Sequence, residues 1–287
     1  MIAVVTVAHG RHEHLRRQHA ALARSSVAPD DYVVVAMDDP ELESWQPPHD
    51  PRPRVVSQAG TGDGLPLAAA RNRGARAAFV TGADLVVFLD VDCMPAPGLL
   101  EAYRDAAGTP EGHGAILCGP VTYLDPPGPG GYDVAALDGL VDPHPARPAP
   151  LDGEVVRDPA GHHLFWSLSF AIDAATWDRV GGFDESYVGY GAEDTDLGQR
   201  AAAAGVPLAW VGGAHALHQH HPTSDPPVQH VDDVVRNGRL FAARWGWWPM
   251  RGWLDAFVSR GLVDRLPDGS YAVADGDVTP PTPRADP

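Results

Sequence analysis

VVFLDVDCMP, residues 86–95, carries an apolar run straight into two carboxylates one residue apart. Val, Phe and Leu in sequence suit a strand buried on both faces, and the run ends on Asp90 and Asp92. Residues i and i+2 of a strand share a face, so both acids can enter one crevice and grip a hard divalent cation. Two like charges so close call for something positive beside them. This stretch alone leaves a metal ion, an arginine and plain solvent as the alternatives, and an isolated D-x-D is more often a solvated pair. Two runs of the same character precede it, IAVVTVA at 2–8 and YVVVAMD at 32–38. Helical patterns lie between, EHLRRQHAALARSS at 13–26 and LPLAAARNRGARAAFV at 65–80. Strands and helices alternating at this spacing predict an α/β fold with a single, doubly wound, mostly parallel sheet flanked by helices. Ligands of such sheets sit at the carboxyl ends of the strands, where Asp38, Asp39, Asp90 and Asp92 fall.

Composition excludes several classes of function. The 287 residues are 44% hydrophobic and 21% charged, ordinary for a soluble globular protein. A net charge of -17, with no cluster of cations, argues against a nucleic-acid partner. All 21 cations are arginine, which with the abundance of Ala, Gly, Pro and Asp points to a GC-rich bacterial genome. Cys93 and Cys118 are the two cysteines, each in an apolar context, so a reducing cytoplasm is expected rather than a disulfide framework. The opening MIAVVTVAHG lacks the basic start of a signal peptide, and no run reaches the roughly 18 apolar residues of a membrane helix.

Farther along, residues 120–160 are dense in Pro, Gly and Asp and read as a long loop. LFWSLSFAID (164–173) reads as a strand, AATWDRV as a short helix, GGFDE as a turn, and a helix is expected from Glu193 to Ala204. PLAWV and the histidine-rich HALHQHH follow, then a helical, aromatic end piece from Val228 to Leu262. After Pro267 the composition predicts a frayed tail over 267–287.

The apolar strand ending in D-x-D, preceded by AAARNRGARAA and followed by GGFDESYVGYGAEDTDLGQR (181–200), resembles the family 2 glycosyltransferases of the GT-A fold. The later stretch is similar to the galactosyltransferase-type C-terminal half, and the resemblance runs from Met1 to about Trp248. It implies one domain over 1–266, with a Rossmann-like nucleotide-sugar-binding half at 1–119, the loop at 120–160 and an acceptor half at 161–266. It also implies transfer of galactose, glucose or an N-acetylhexosamine from a UDP-sugar to a hydroxyl acceptor, which could be a saccharide, a lipid-linked saccharide or a small natural product. By the same resemblance Asp92 is the metal ligand and Asp90 lies nearer the ribose or a metal-bound water. Asp38 meets the nucleobase, Thr6 to Ala8 with Arg11 line the base and ribose, and Arg71 and Asn72 border the nucleotide. Arg71 reads almost as well as a surface helix arginine.

In that family a histidine completes the metal site, and HALHQHH lies 22–28 residues after Glu193. His218 and His220 share a face of an extended segment and are the first and second choices; a multi-histidine zinc site is the competing reading. Imidazole favours Mn²⁺ over Mg²⁺. The acid after the Glu is the family's catalytic base, so the resemblance assigns Asp194 as base and Glu193 as a sugar-hydroxyl ligand, with inversion at the anomeric carbon. Acids at a helix start also read as partners of the helix dipole. Gly189 and Gly191 suggest backbone that a ligand approaches closely.

Trp166 and Trp210 read as core or as sugar-stacking residues. The four tryptophans of Trp245–Trp253 read as a packed helix or as a peripheral contact with the inner face of the membrane. Two rivals remain: a haloacid-dehalogenase-type phosphatase, disfavoured by the late position of the D-x-D and the absence of Lys, and a non-catalytic nucleotide-sugar binder or partner-binding pseudoenzyme of the same fold.

Overall fold

The computed structural model describes residues 1–62 and 64–274. Strands β1 (Ile2–Ala8), β2 (Asp31–Met37), β3 (Pro53–Gln58) and β4 (Leu85–Leu89) run parallel in the order β3-β2-β1-β4. Helices α1 (His12–Leu22), α2 (Pro40–Glu43) and α3 (Leu67–Val80) connect them. The continuous apolar character of β1 has a direct cause. Ile2, Val4 and Ala8 enter the core layer on one face, and Ala3, Val5 and Val7 enter the layer on the other. Helix α3 lies so close to β1 that a Cβ at Gly74 would stand 2.3 Å from Val5 Cγ1.

Beyond β4 come β5 (Cys93–Pro95), α4 (Leu99–Ala107), β6 (Ile116–Cys118), β7 (Val121–Tyr123), β8 (Val155–Asp158), β9 (Ser169–Asp173), α5 (Ala174–Val180), α6 (Glu193–Ala203), β10 (Leu208–Val211) and β11 (Ala216–His218). The main sheet has eight strands in the order β3-β2-β1-β4-β9-β6-β10-β8 and is mainly parallel, with β9 antiparallel to β4 and β6, and β8 antiparallel to β10. The sheet is not alone, as the periodicity implied. A second sheet, β5-β11-β7, is built at its carboxyl edge. Nor is 120–160 a bare loop: it supplies β7 to the small sheet and β8 to the rim of the large one, both too short to leave a periodic signal.

The aromatic end piece is two helices, α7 (Val231–Trp245) and α8 (Arg251–Ser259), separated at Gly246, whose φ is 77°. Trp245 and Trp247 contact Phe241, Trp248 contacts Tyr271 and Trp253 contacts Tyr190, and Trp247 is 43% exposed all the same. No helix among the described residues is long and apolar enough to cross a membrane. The expected tail begins too early at residue 267. Strand β13 (Tyr271–Val273) pairs with β12 (Val263–Arg265) and buries Tyr271 against Phe257 and Leu254 of α8, because the Asp268–Gly269–Ser270 turn reverses the chain. The remainder of that expectation, 275–287, lies outside the described residues.

Tyr271 is 1% exposed and its hydroxyl donates to Asp255. Tyr271→Ala is expected to destabilise the protein by about 3 kcal/mol, measured by urea unfolding; a loss below about 0.5 kcal/mol, the range of surface substitutions, would return this segment to the status of a loose tail.

Candidate active site

The strand β4 ends at Leu89, and the chain turns through Asp90, Val91 and Asp92 into β5. The turn closes with Cys93 N–H donating to the Asp90 carbonyl at 2.8 Å. Gln18, fully buried in α1, clamps it from below: its Nε2 donates to the Asp90 and Cys93 carbonyls at 2.6 and 3.0 Å. Strand β11 pairs His218 with Cys93, which brings the imidazole beside the residue preceding Cys93. His218 Nε2 is 3.5 Å from Asp92 Oδ1, and His221 Nε2 is 3.5 Å from Asp92 Oδ2. One ligand atom from each of the three residues lies within 4.8 Å of the other two. Strand pairing stops at His218, so the alternation that would have aligned His220 ends there. His220 is exposed, and the structure brings His221 into the group instead.

Arginine is also part of the answer to the charge problem. Arg11 Nη1 donates to Asp92 Oδ2 at 2.7 Å. Burial would raise the Asp92 carboxyl, but His221, His218 and Arg11 outweigh it and hold the pKa at about 2. Burial shifts His218 downward, so its imidazole is neutral at pH 7 and has a lone pair to offer. Asp90 moves the other way. Burial and the neighbouring Asp92 charge raise it despite Arg71, whose Nη2 donates to Asp90 Oδ1 at 2.9 Å. Arg71 is 4% exposed and its Nη1 also donates to Glu193 Oε1 at 3.1 Å. The surface reading of Arg71 fails, because α3 buries its guanidinium between Asp90 at the exit of β4 and Glu193 at the start of α6.

Three residues expected at the nucleotide serve the fold. Thr6 is fully buried and its hydroxyl donates to Gln18 Oε1 at 2.9 Å. Asn72 is buried; its Nδ2 donates to the Phe183 carbonyl and to Glu185, and its Oδ1 accepts from Phe183 N–H, each at 2.9 Å. These bonds fix the GGFDE turn. The Ala8 side chain is buried beneath the crevice at 1% exposure. Asp38, by contrast, is exposed at the exit of β2 with φ 43°, while Asp39 does the structural work. Asp39 accepts from Gly10 N–H at 2.7 Å and His12 Nε2 at 2.9 Å and caps α2. Burial would raise its carboxyl, and these bonds hold it below the usual range.

Glu193 and Asp194 open α6 without a side-chain cap, after Ala192 at φ 73°. The glycines before them are packed closely against protein. Gly189 has φ 72°, and a Cβ there would stand 2.3 Å from Asp233 Oδ2 on α7. Asn237, fully buried on α7, donates from Nδ2 to the carbonyls of Val188, Tyr190 and Gly191 at 3.0, 3.3 and 3.0 Å. Asp196 accepts from Arg244 Nη1 at 2.9 Å and Trp245 Nε1 at 2.8 Å, fastening α6 to the same helix. Gln18 and Asn237 were not foreseen, because a lone amide in an amphipathic helix leaves no sequence signal; Asp196 reads from the sequence only as an acid of the helix start, and His221 only as a neighbour of the chosen histidines, since its place depends on where β11 stops.

Burial and the Glu193 charge raise Asp194 to about 7, against the Thr195 N–H bond of 2.6 Å and the Arg71 charge. A carboxyl raised on folding from 3.8 to about 7 lends full stability below pH 4 and loses it as pH rises through 7. Asp194→Asn is therefore expected to have a higher Tm than the parent at pH 8, with the gap closing as the pH is lowered toward 4. A gap that does not change with pH would contradict the raised carboxyl.

The chain is similar to several known proteins. A family model described as the N-terminal domain of galactosyltransferase matches residues 161–222. Validoxylamine A glucosyltransferase of Streptomyces hygroscopicus subsp. limoneus is 30% identical over 265 residues, 82% of this chain and 56% of the relative. The chain thus spans little more than half the length of that protein. Among solved structures, GalNAc-T7 with UDP, GalNAc and Mn²⁺ superposes with a TM-score of 0.57 at 17% identity, over 91% of this chain and 50% of that one. S. aureus TarS 1–349 in complex with UDP-GlcNAc gives 0.55 at 12% identity, over 84% and 66%. The chain has the GT-A fold and is a relative of the glycosyltransferases that carry it.

Proposed function

We propose that the chain is a metal-dependent, inverting glycosyltransferase of the family 2 type that moves a hexose from a UDP-sugar to an acceptor hydroxyl. Residues 1–119 take the nucleotide and 161–266 the acceptor. The observation that carries the reading is the contrast between neighbouring carboxylates. Arg71 pairs with Asp90 and Glu193, and Asp194 is left with a carboxyl near neutrality at about 7. A group with that affinity for protons suits general-base catalysis at physiological pH. Asp194 takes the proton of the acceptor hydroxyl as its oxygen bonds to the anomeric carbon. The bond from that carbon to the diphosphate breaks with its electron pair on UDP, and attack from the far side inverts the centre. Glu193, held by Arg71, is placed to accept a hydrogen bond from a sugar hydroxyl. Asp38, exposed at the strand exit, is available to the nucleobase, and Asp90 to the ribose.

One carboxylate and two imidazoles suit a divalent transition ion, Mn²⁺ better than Mg²⁺, and Asp92, His218 and His221 would hold it. Bound there, such a cation offsets the charge that develops on the departing diphosphate. The relatives support a hexose donor without choosing among them: one is a glucosyltransferase by name, and the two structures are complexes with UDP, GalNAc and Mn²⁺ and with UDP-GlcNAc.

Asp92→Asn, His218→Ala and His221→Ala should each abolish the Mn²⁺-dependent gain in UDP affinity measured by calorimetry, whereas His220→Ala should retain it. Retention in His221→Ala, with loss in His220→Ala, would restore the assignment made from sequence. With a UDP-sugar donor and an acceptor library, Asp194→Asn should lose about 10²–10⁴-fold in turnover and keep its UDP affinity. In the parent protein kcat/KM should fall tenfold per pH unit below about 7. Turnover of Asp194→Asn close to the parent's would remove the base and, with it, the reason to expect inversion.

A further inference from the structure

Between β7 and β8 the chain buries Leu124 and Leu137 and, near its end, one charged side chain. Pro145, Ala146 and Ala149 are exposed, yet Arg147 is 5% exposed. Its guanidinium lies over two indoles, 5.1 Å from the ring centroid of Trp166 and 5.1 Å from that of Trp210. Those rings satisfy its faces. Its edges are different: Nε, Nη1 and Nη2 are all buried, none meets an oxygen acceptor among the described residues, and the neighbour disposed to accept from it is the Cys118 thiol, a weak acceptor. A guanidinium keeps its charge under all ordinary conditions and presents five N–H donors in one plane. A desolvated charge with unmatched donors is strongly unfavourable, so the position makes sense when something else supplies the oxygens.

The neighbours do not supply them. The ionisable groups that feel the guanidinium are the Cys93 and Cys118 thiols and the Tyr103 and Tyr123 hydroxyls, and burial raises all four, so each is neutral at pH 7. The other arginines of the crevice are already matched, Arg11 with Asp92 and Arg71 with Asp90 and Glu193. The location is also specific. Cys118 ends β6 and Trp210 lies near the end of β10, so Arg147 sits at the carboxyl ends of these strands, in the half proposed to take the acceptor. A file of rings leads from it to the metal triad. Trp166 and His144 are 5.3 Å apart, His144 and Tyr123 5.5 Å, and Tyr123 and His218 4.7 Å, and Tyr123 is half exposed.

We infer that Arg147 is the anion-recognising residue of an acceptor subsite, so that the acceptor carries an oxyanion, either a carboxylate or a phosphate ester, on a ring that lies along Tyr123, His144 and Trp166. This deepens the proposed function and rests on it. The planar fork suits a bidentate oxyanion, and the two indoles hold it in one orientation.

The test compares glucose, glucose 6-phosphate, glucuronic acid and inorganic phosphate as ligands of the UDP- and Mn²⁺-saturated protein by calorimetry, in the parent and in Arg147→Met, which keeps the bulk and removes the charge. The two charged sugars should bind the parent at least tenfold more tightly than glucose. Arg147→Met should lose about 10–100-fold of that affinity, the range for a hydrogen bond to a charged group, and bind UDP unchanged. Equal affinity of the parent for charged and neutral sugars would overturn the inference without any variant, and so would charged-sugar affinity preserved in Arg147→Met. Inorganic phosphate binding as tightly as glucose 6-phosphate would also overturn it, by showing a site for a free anion. Failure of the parent to bind UDP with Mn²⁺ would instead strike the proposed function.

Discussion

Four carboxylates meet where the two halves of the chain face each other, and a single buried cation decides how they behave. Arg71 reaches from α3 to Asp90 at the exit of β4 and to Glu193 at the start of α6. At 4% exposure its charge is little screened, so it binds the halves together by an interaction that water cannot replace. The pairing also sorts the acids. Asp92 is served by Arg11 and two histidines, Asp90 and Glu193 by Arg71, and Asp194 is left over. The division of labour proposed among these acids, as ligand, binder and base, follows which of them have cationic partners.

Around this pair the backbone is fixed by buried amides. Gln18 uses all of its capacity, accepting from Thr6 and Tyr32 and donating to the D-x-D turn. Asn72 holds the GGFDE turn, and Asn237 gathers three carbonyls of the segment before α6. Each removes freedom from a stretch carrying a reactive side chain, and each lies on a helix of the scaffold rather than on a loop. The C-terminal helices are therefore part of the site, since α7 shapes the entry to α6 through Asn237 and anchors its first turn through Asp196.

Much of this was legible. Continuous apolar runs identified β1, β2 and β4 because those strands are covered on both faces, and the acids at their ends followed from sheet topology. Glu193 as the first residue of α6 was readable from its cluster of acids. What escaped was set by distant parts of the chain. Thr6 and Asn72 sit at the expected places and turn inward, since their neighbours Gln18 and Phe183 offer better partners. His221 replaced His220 because a strand ended two residues earlier than alternation assumes. The short strands β7 and β8 and the β12–β13 hairpin are held by tertiary pairing in stretches whose composition speaks for loops.

The position of β9 sets an order of assembly. It lies between β4 and β6 and is antiparallel to both, so the outer edge of β4 has no partner until Ser169 has been made. The strands that surround Asp90 can collapse early through contacts local in sequence, but the sheet stays open at its centre through the intervening length of chain. The cluster of Asp92, His218 and His221 needs β11 as well, and the start of α6 needs α7, more than a hundred residues after Asp92. Binding capacity is thus the last property that folding delivers, and an exposed strand edge at the heart of the molecule is the hazard to be passed on the way.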